Sequence, residues 1–134
     1  MVNKQELLAL HKYFLNANMM KMNFDILINK LEKPTEIGDI TEQWGYLSLW
    51  YGCLRVVLEG WQDLKLSDVQ VDLLIDEDKI KLLNGFRNDV FHFKADYFSS
   101  RTRNLLNDKD FVLWIRNLHD LLGASILRLL KAEG

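Results

Sequence analysis

The 134-residue sequence has few residues that cross-link a chain or interrupt its secondary structure: one cysteine, one proline and seven glycines. A single thiol, Cys53, cannot form an internal disulfide, which indicates a reducing compartment. We interpret this side chain as a small buried hydrophobe in preference to a nucleophile. Since 49% of the residues are hydrophobic and 27% are charged, disordered and low-complexity classes are excluded.

The sequence also lacks long apolar runs. No segment approaches the roughly 20 apolar residues that a membrane span requires, and the N-terminal MVNKQELLAL is amphipathic, unlike a signal peptide. We therefore expect a cytoplasmic protein that makes no contact with membranes. The length predicts one domain, spanning residues 1–134.

Strand patterns are missing as well, and apolar residues instead recur at steps of three and four. Capping patterns, Asn3 with Glu6 and Asp39 with Glu42, mark the starts of two predicted helices. The first predicted helix starts at Asn3, runs for nearly thirty residues and ends before Pro34, with its continuity near residue 21 left open. The others cover residues 39–61, 67–75 and 77–93, and a last helix of about twenty residues begins near residue 111. The expected fold is all-α, an antiparallel bundle of four to five helices, with SSRTRNLLNDKD as a polar connection before the last helix.

Charge is unevenly distributed, although the net charge is only −2. Residues 59–78 carry seven acids and one base, whereas residues 79–103 carry six bases and two acids. An anionic ligand is therefore expected near residues 79–103, and an ordinary solvated surface is the alternative.

The stretch GFRNDVFHF, residues 85–93, places an arginine, an amide and a histidine between apolar residues. Metal-independent RNA cleavage needs a base for the ribose 2′-hydroxyl, an acid for the leaving oxygen, and positive charge on the phosphate. Histidine is the side chain best suited to serve as base or acid near neutral pH, so His92 is the candidate for these roles. Arg87 offers a planar fork for phosphate oxygens, and Asn88 can orient the imidazole or donate to the phosphate.

The segment LLNGFRNDVFHF resembles the arginine–polar–three-residue–histidine signature of the HEPN domains, which are helical bundles found in many toxin and antiviral ribonucleases. The resemblance covers about a dozen residues and implies an HEPN-like bundle that forms a homodimer with two signatures at one composite site. It implies metal-independent endoribonuclease activity of the toxin–antitoxin or phage-defence type, with RNA as substrate and an antitoxin protein as a further partner. Arg87, Asn88 and His92 would be catalytic.

Four residues after the signature are predicted to bind substrate: Lys94, Tyr97, Arg101 and Arg103. Each has an alternative interpretation, because the three cations suit a solvated surface and the tyrosine suits core packing. His92 could instead cap helix carbonyls. Arg87 could pair with an acid of the 76–78 cluster or with Asp89.

No metal or cofactor is expected, because no Glu-x-x-His or Cys-x-x-Cys spacing and no glycine-rich phosphate loop occurs in the sequence. The four tryptophans follow helical seams and are predicted to lie in the core or at a dimer interface. Two other functions remain open. One is a non-catalytic HEPN-like module that binds RNA or protein, and the other is a helical bundle that recruits a partner helix.

Overall fold

The computed structural model describes residues 2–30, 37–93, 95 and 99–133, apart from the side chains of residues 37–41 and 133. Within these residues six helices occur: α1 (Lys4–Lys30), α2 (Ile37–Asp63), α3 (Val69–Leu74), α4 (Glu77–Phe91), α5 (Ser100–Asn107) and α6 (Lys109–Glu133). The described residues contain no strand. The predicted all-α class is therefore confirmed, and the arrangement is compatible with a helical bundle. Among the described residues, no helix has both the length and the apolarity needed to cross a bilayer.

Helix α1 begins at the predicted capping box. The backbone N–H of Glu6 donates to Oδ1 of Asn3 at 2.8 Å, and the backbone N–H of Asn3 donates to Oε2 of Glu6 at 3.2 Å. The two bonds satisfy amides that have no partner inside the helix. From this start α1 runs unbroken past Lys21 to Lys30. Helix α2 already includes Asp39, so the second predicted capping box does not mark its first residue.

The core lies where α1, α2 and α6 meet. Gly60 of α2 lies against Leu10, and the ring of Trp50 lies 6.0 Å from that of Phe24, so α1 and α2 run antiparallel. Helix α6 also runs opposite to α1, since Gly123 packs on Phe14 near the start of α1 while Arg116 pairs with Asp25 near its end. One core cluster draws on all six helices, and its fully buried members include Leu54, Leu58, Val71, Leu83, Phe86, Leu105, Phe111, Ile115, Leu118 and Leu122.

Helices α3 and α4 pack against this core. Asp68 caps α3 through bonds from the amides of Gln70 and Val71, and Asp76 caps α4 through the amide of Lys79. The predicted helix start at the acidic cluster 76–78 is therefore confirmed.

The polar stretch SSRTRNLLNDKD is not a simple connection, because residues 100–107 of it form helix α5. Its cap is Ser99, whose hydroxyl accepts from the amide of Thr102 at 3.1 Å. Only Thr102 and Leu105 of α5 are buried. A helix with so few apolar positions has little periodicity for a sequence reading to detect.

Candidate functional site

Helix α4 presents the signature on its outer side. Leu83 and Phe86 are fully buried and dock the helix on the core, whereas Asn88 and His92 are exposed. On an α-helix, residues 88 and 92 lie within about 40° of each other, and residue 87 lies about 140° from residue 92. The exposed stripe and Arg87 therefore occupy different flanks of α4.

Arg87 reaches across to α2. Its Nη1 donates to Oε2 of Glu59 at 3.0 Å, and the arginine side chain is 28% exposed. The sequence suggested a partner in the 76–78 cluster or Asp89, and this suggestion is wrong. The actual acid comes from a different helix, 28 residues earlier in the chain. A partly exposed pair of this kind contributes at most about 1 kcal/mol, so a phosphate can compete for the guanidinium.

A second arginine lies beside this pair. Nε of Arg55 on α2 donates a hydrogen bond to Oδ1 of Asn84, and its Nη1 is buried with no hydrogen-bond partner among the described residues. Burial lowers the pKa of Arg55; the carboxylate of Glu59 raises it in part, and the guanidinium of Arg87 lowers it again. The charges of Arg87 and Glu59 therefore both act on Arg55, together with the carboxylate of Asp63.

Sequence reasoning missed Arg55, Glu59 and Asn84 as members of this group. A signal for them existed: Arg55 interrupts the otherwise apolar run WYGCLRVVL, and Glu59 lies one helical turn further on. A charge inside an apolar seam requires a polar partner from a neighbouring helix.

His92 is the C-cap of α4 and contributes its backbone to the helix end, since its N–H donates to the carbonyl of Asn88 at 3.0 Å. The imidazole makes no hydrogen bond to any described residue, and neither does the side chain of Asn88. Within one chain, no hydrogen bond joins His92 to Arg87. The proposed alternative, an imidazole that caps carbonyls, is therefore not what the described residues show.

On its opposite flank, α4 contacts α5. Asp89 accepts a hydrogen bond from the hydroxyl of Ser99 at 3.1 Å and pairs with Arg101 at 3.5 Å. Gly85 leaves room for this arginine: a Cβ at Gly85 would lie 2.7 Å from Nη1 of Arg101. Close approach at Gly85 thus serves α5 of the same chain, and the carboxylate of Asp89 is used to hold α5.

The four predicted substrate-binding residues are therefore distributed unequally. Arg101 packs beside the signature, on the flank away from Arg87, and half of its side chain is exposed. Arg103 is exposed and makes no ion pair with a described residue. Lys94 and Tyr97 lie outside the described residues, so their placement stays a prediction.

The chain's most buried histidine lies elsewhere. His119 of α6 accepts a hydrogen bond at Nδ1 from Nε1 of Trp50 at 3.0 Å, and its Nε2 lies 3.0 Å from Oδ1 of Asn18. Nε2 must then carry the proton, and the ring is neutral. Burial lowers the pKa of His119 to about 4, and the nearby charge of Lys21 adds to this shift. His119 is a structural residue.

The tryptophans and the cysteine also have structural surroundings. Trp50, Trp61 and Trp114 are buried, which confirms the core prediction for them, and Trp44 packs edge-on against Phe86. Burial raises the pKa of the Cys53 thiol, which disfavours the thiolate that a nucleophile needs. In the described part of the chain, no group of three or more histidine, cysteine or acidic side chains is arranged to hold a metal ion.

No family model matches this chain, and comparison with curated proteins and with solved structures gives no significant match. The resemblance to HEPN domains therefore depends on the residues of α4. The geometry around α4 offers an exposed imidazole and amide, a guanidinium held by a weak ion pair, and a second guanidinium behind it. Such a set can bind a phosphodiester and exchange protons with it.

Proposed function

We propose that the protein is an endoribonuclease of the toxin–antitoxin or phage-defence type, which cleaves RNA without a metal at a composite site in a homodimer. The observation that carries the proposal is the position of Arg87, Asn88 and His92. Asn88 and His92 are exposed on the outer side of α4, Arg87 is 28% exposed on a different flank, and none of the three side chains belongs to the hydrophobic core. The resemblance of LLNGFRNDVFHF to the HEPN signature supports the same activity.

In the proposed reaction, the neutral imidazole of His92 removes the proton from a ribose 2′-hydroxyl. The 2′-oxygen attacks the adjacent phosphorus, and the bond to the 5′-oxygen breaks, which leaves a 2′,3′-cyclic phosphate and a 5′-hydroxyl end. The leaving 5′-oxygen takes its proton from the imidazolium of His92 of the partner subunit. Arg87 binds the phosphate oxygens, and Asn88 donates to the phosphate or orients the imidazole.

The proposed reaction needs a homodimer, because it uses two histidines. Acid and base are two groups, whereas each chain presents one exposed histidine at the signature. Arg87 and His92 also make no hydrogen bond to each other within one chain, and Arg87 is directed towards Glu59 of α2, which favours a site that takes its groups from two chains.

A second function is favoured by the ion pair between Arg87 and Glu59. A carboxylate 3.0 Å from the guanidinium opposes a phosphate at the same place. If the pair persists when RNA is bound, the protein is a non-catalytic HEPN-like module that binds RNA or protein through the remaining basic residues.

The test is incubation of purified protein with single-stranded RNA in EDTA. We expect cleavage that survives chelation, yields 2′,3′-cyclic phosphate ends, and is lost in both Arg87→Ala and His92→Ala. The matched control is His11→Ala, which removes a histidine from α1 far along the chain from the signature, and it should cleave like the wild type.

One outcome would contradict the nuclease, and another would contradict the composite site. RNA binding without cleavage by the wild-type protein supports the binding module instead. A monomer at micromolar concentration by sedimentation velocity, combined with full cleavage, would eliminate the composite site.

A further inference from the structure

Helix α1 carries a second apolar face that the bundle does not cover. Its inner face, with Leu7, Leu10, Phe14 and Ala17, is buried in the core. On the outer side five large apolar residues each expose 49–55% of their surface: Leu8, Leu15, Met19, Met22 and Ile26. We call these five residues the α1 stripe.

The α1 stripe has the spacing of a coiled-coil seam. Its members are separated by seven, four, three and four residues, so all of them lie within about 40° of one line along the helix at 3.6 residues per turn. The stripe is about 27 Å long at a rise of 1.5 Å per residue. A narrow apolar seam of this length matches one face of a partner helix.

The charges beside the α1 stripe have one sign. Lys12 occupies the seam position between Leu8 and Leu15, and Lys4 and Lys30 lie within about 40° of the stripe, one turn beyond its two ends, whereas Glu6 lies on the far side of the helix at about 160°. The other acid of α1, Asp25, is already bound by Lys21 at 3.1 Å and by Arg116 at 2.7 Å. A docked helix therefore meets lysines and no free carboxylate on α1.

We propose that the α1 stripe is the docking site for an amphipathic helix of another protein, with apolar residues in a heptad pattern and acidic residues flanking them. Acidic side chains at those flanks would pair with the three lysines, as charges at the edges of a coiled coil do. Two methionines in the seam suit a partner helix, because their flexible side chains adapt to its surface.

A second copy of this chain fits the stripe less well. Antiparallel copies centred on the stripe would bring Lys4 opposite Lys30, and parallel copies would place each lysine opposite itself. A lipid surface also fits less well, since membrane-surface helices present a broad apolar face, and the stripe is narrow and contains no aromatic residue. The inference does not depend on the nuclease proposal.

The test uses the full-length protein and two labelled helical peptides. Both carry leucine at the heptad core positions; one has glutamate at the flanking positions and the other has lysine. By fluorescence anisotropy we expect the glutamate peptide to bind at least about tenfold more tightly than the lysine peptide, with a difference that shrinks as salt is added.

Four variants locate the binding. Met19→Asp and Met22→Asp should each weaken binding of the glutamate peptide at least about tenfold. The control Leu73→Asp, at a position 80% exposed on α3, should bind like the wild type. Lys12→Glu combined with Lys30→Glu should reverse the preference between the two peptides. Circular dichroism confirms that each variant is folded.

Four results would overturn the proposal. They are equal affinity for both peptides, loss of binding in Leu73→Asp, a homodimer that Met19→Asp dissociates, and binding of phosphatidylserine vesicles that Met19→Asp abolishes. The third assigns the stripe to a second copy and the fourth to a membrane.

Discussion

Two histidines of this molecule lie in opposite environments. His119 is 1% exposed, and both its ring nitrogens lie within hydrogen-bond distance of side chains of other helices. His92 ends α4 in solvent, and its ring has no hydrogen-bond partner among the described residues. A histidine whose nitrogens are both engaged holds helices together, whereas one whose nitrogens are free can exchange protons with a ligand.

The same contrast applies to the arginines beside each histidine. Arg116 pairs with Asp25 through two bonds and lies over the ring of Trp50 at 5.2 Å. The Asp25 bond raises the pKa of Arg116. Arg87 has one bond, to a half-exposed carboxylate. We call the region where α1, α2 and α6 meet the seam, and its polar groups His119, Arg116 and Asp25 are paired within the fold. We call the outer side of α4 the rim, where Asn88 and His92 are exposed.

The largest expected effect comes from deleting each imidazole in turn. His119→Ala should lower the free energy of unfolding by about 3 kcal/mol or more, because it leaves a cavity and an unpaired N–H on the buried Trp50. His92→Ala should change the free energy of unfolding by less than about 0.5 kcal/mol. Urea denaturation at pH 7 measures both. Equal losses would mean that the rim is as structural as the seam.

Acid should destabilise the protein through His119. Because the pKa of His119 is about 4 in the folded state, below its ordinary 6.5, the unfolded chain binds a proton that the folded chain does not. Stability is therefore complete above pH 6.5 and falls as the pH drops towards 4, by on the order of 3 kcal/mol. Denaturation curves between pH 7 and 4 measure the slope.

The control for the acid experiment is His119→Gln. Glutamine can still accept from Trp50 but does not titrate, so the variant should start less stable at pH 7 and show a flatter profile down to pH 4. A wild-type profile that is already flat over this interval would show that the buried ring is not the acid-sensitive group.

The space around three glycines also differs, and it predicts different effects of replacing each by alanine. A Cβ at Gly123 would lie 2.4–2.7 Å from ring atoms of Phe14, which is locked in the core. A Cβ at Gly85 meets chiefly the flexible end of Arg101, and one at Gly45 meets nothing within 4 Å. Gly123→Ala should therefore cost about 1–2 kcal/mol after the helix-propensity gain, Gly85→Ala about nothing, and Gly45→Ala should stabilise by about 1 kcal/mol.

Thermal or urea unfolding of the three glycine variants provides the measurement. The order of stability is the critical result. If Gly85→Ala is the most destabilised of the three, α5 is held against α4 more rigidly than the exposed Arg101 suggests.

The features that sequence predicted are those with local causes. The capping box of Asn3 and Glu6 and the start of the predicted helix at residue 77 both depend on residues within a few positions. Helix α5 was missed because only Thr102 and Leu105 of its residues are buried, and because it is held partly by Asp89 of another helix.

The surroundings of Arg87 show the same limit. Its partner Glu59 and its neighbour Arg55 lie on α2, and their proximity follows from how α2 and α4 cross. No local pattern fixes that crossing. The sequence therefore offered Arg87 as a candidate phosphate ligand, but it did not identify Glu59 as the carboxylate that its guanidinium contacts.

The smallest expected effect tests that competition. Glu59→Gln removes one partly exposed ion pair, so the free energy of unfolding should fall by less than about 1 kcal/mol. If Arg87 binds phosphate, the same change frees its guanidinium, and affinity for single-stranded RNA at low salt should rise severalfold. The matched control is Glu42→Gln, which makes the same charge change on an exposed residue of α2 and should raise affinity less. Weaker RNA binding by Glu59→Gln would mean that Glu59 positions Arg87 for RNA and does not compete with the phosphate.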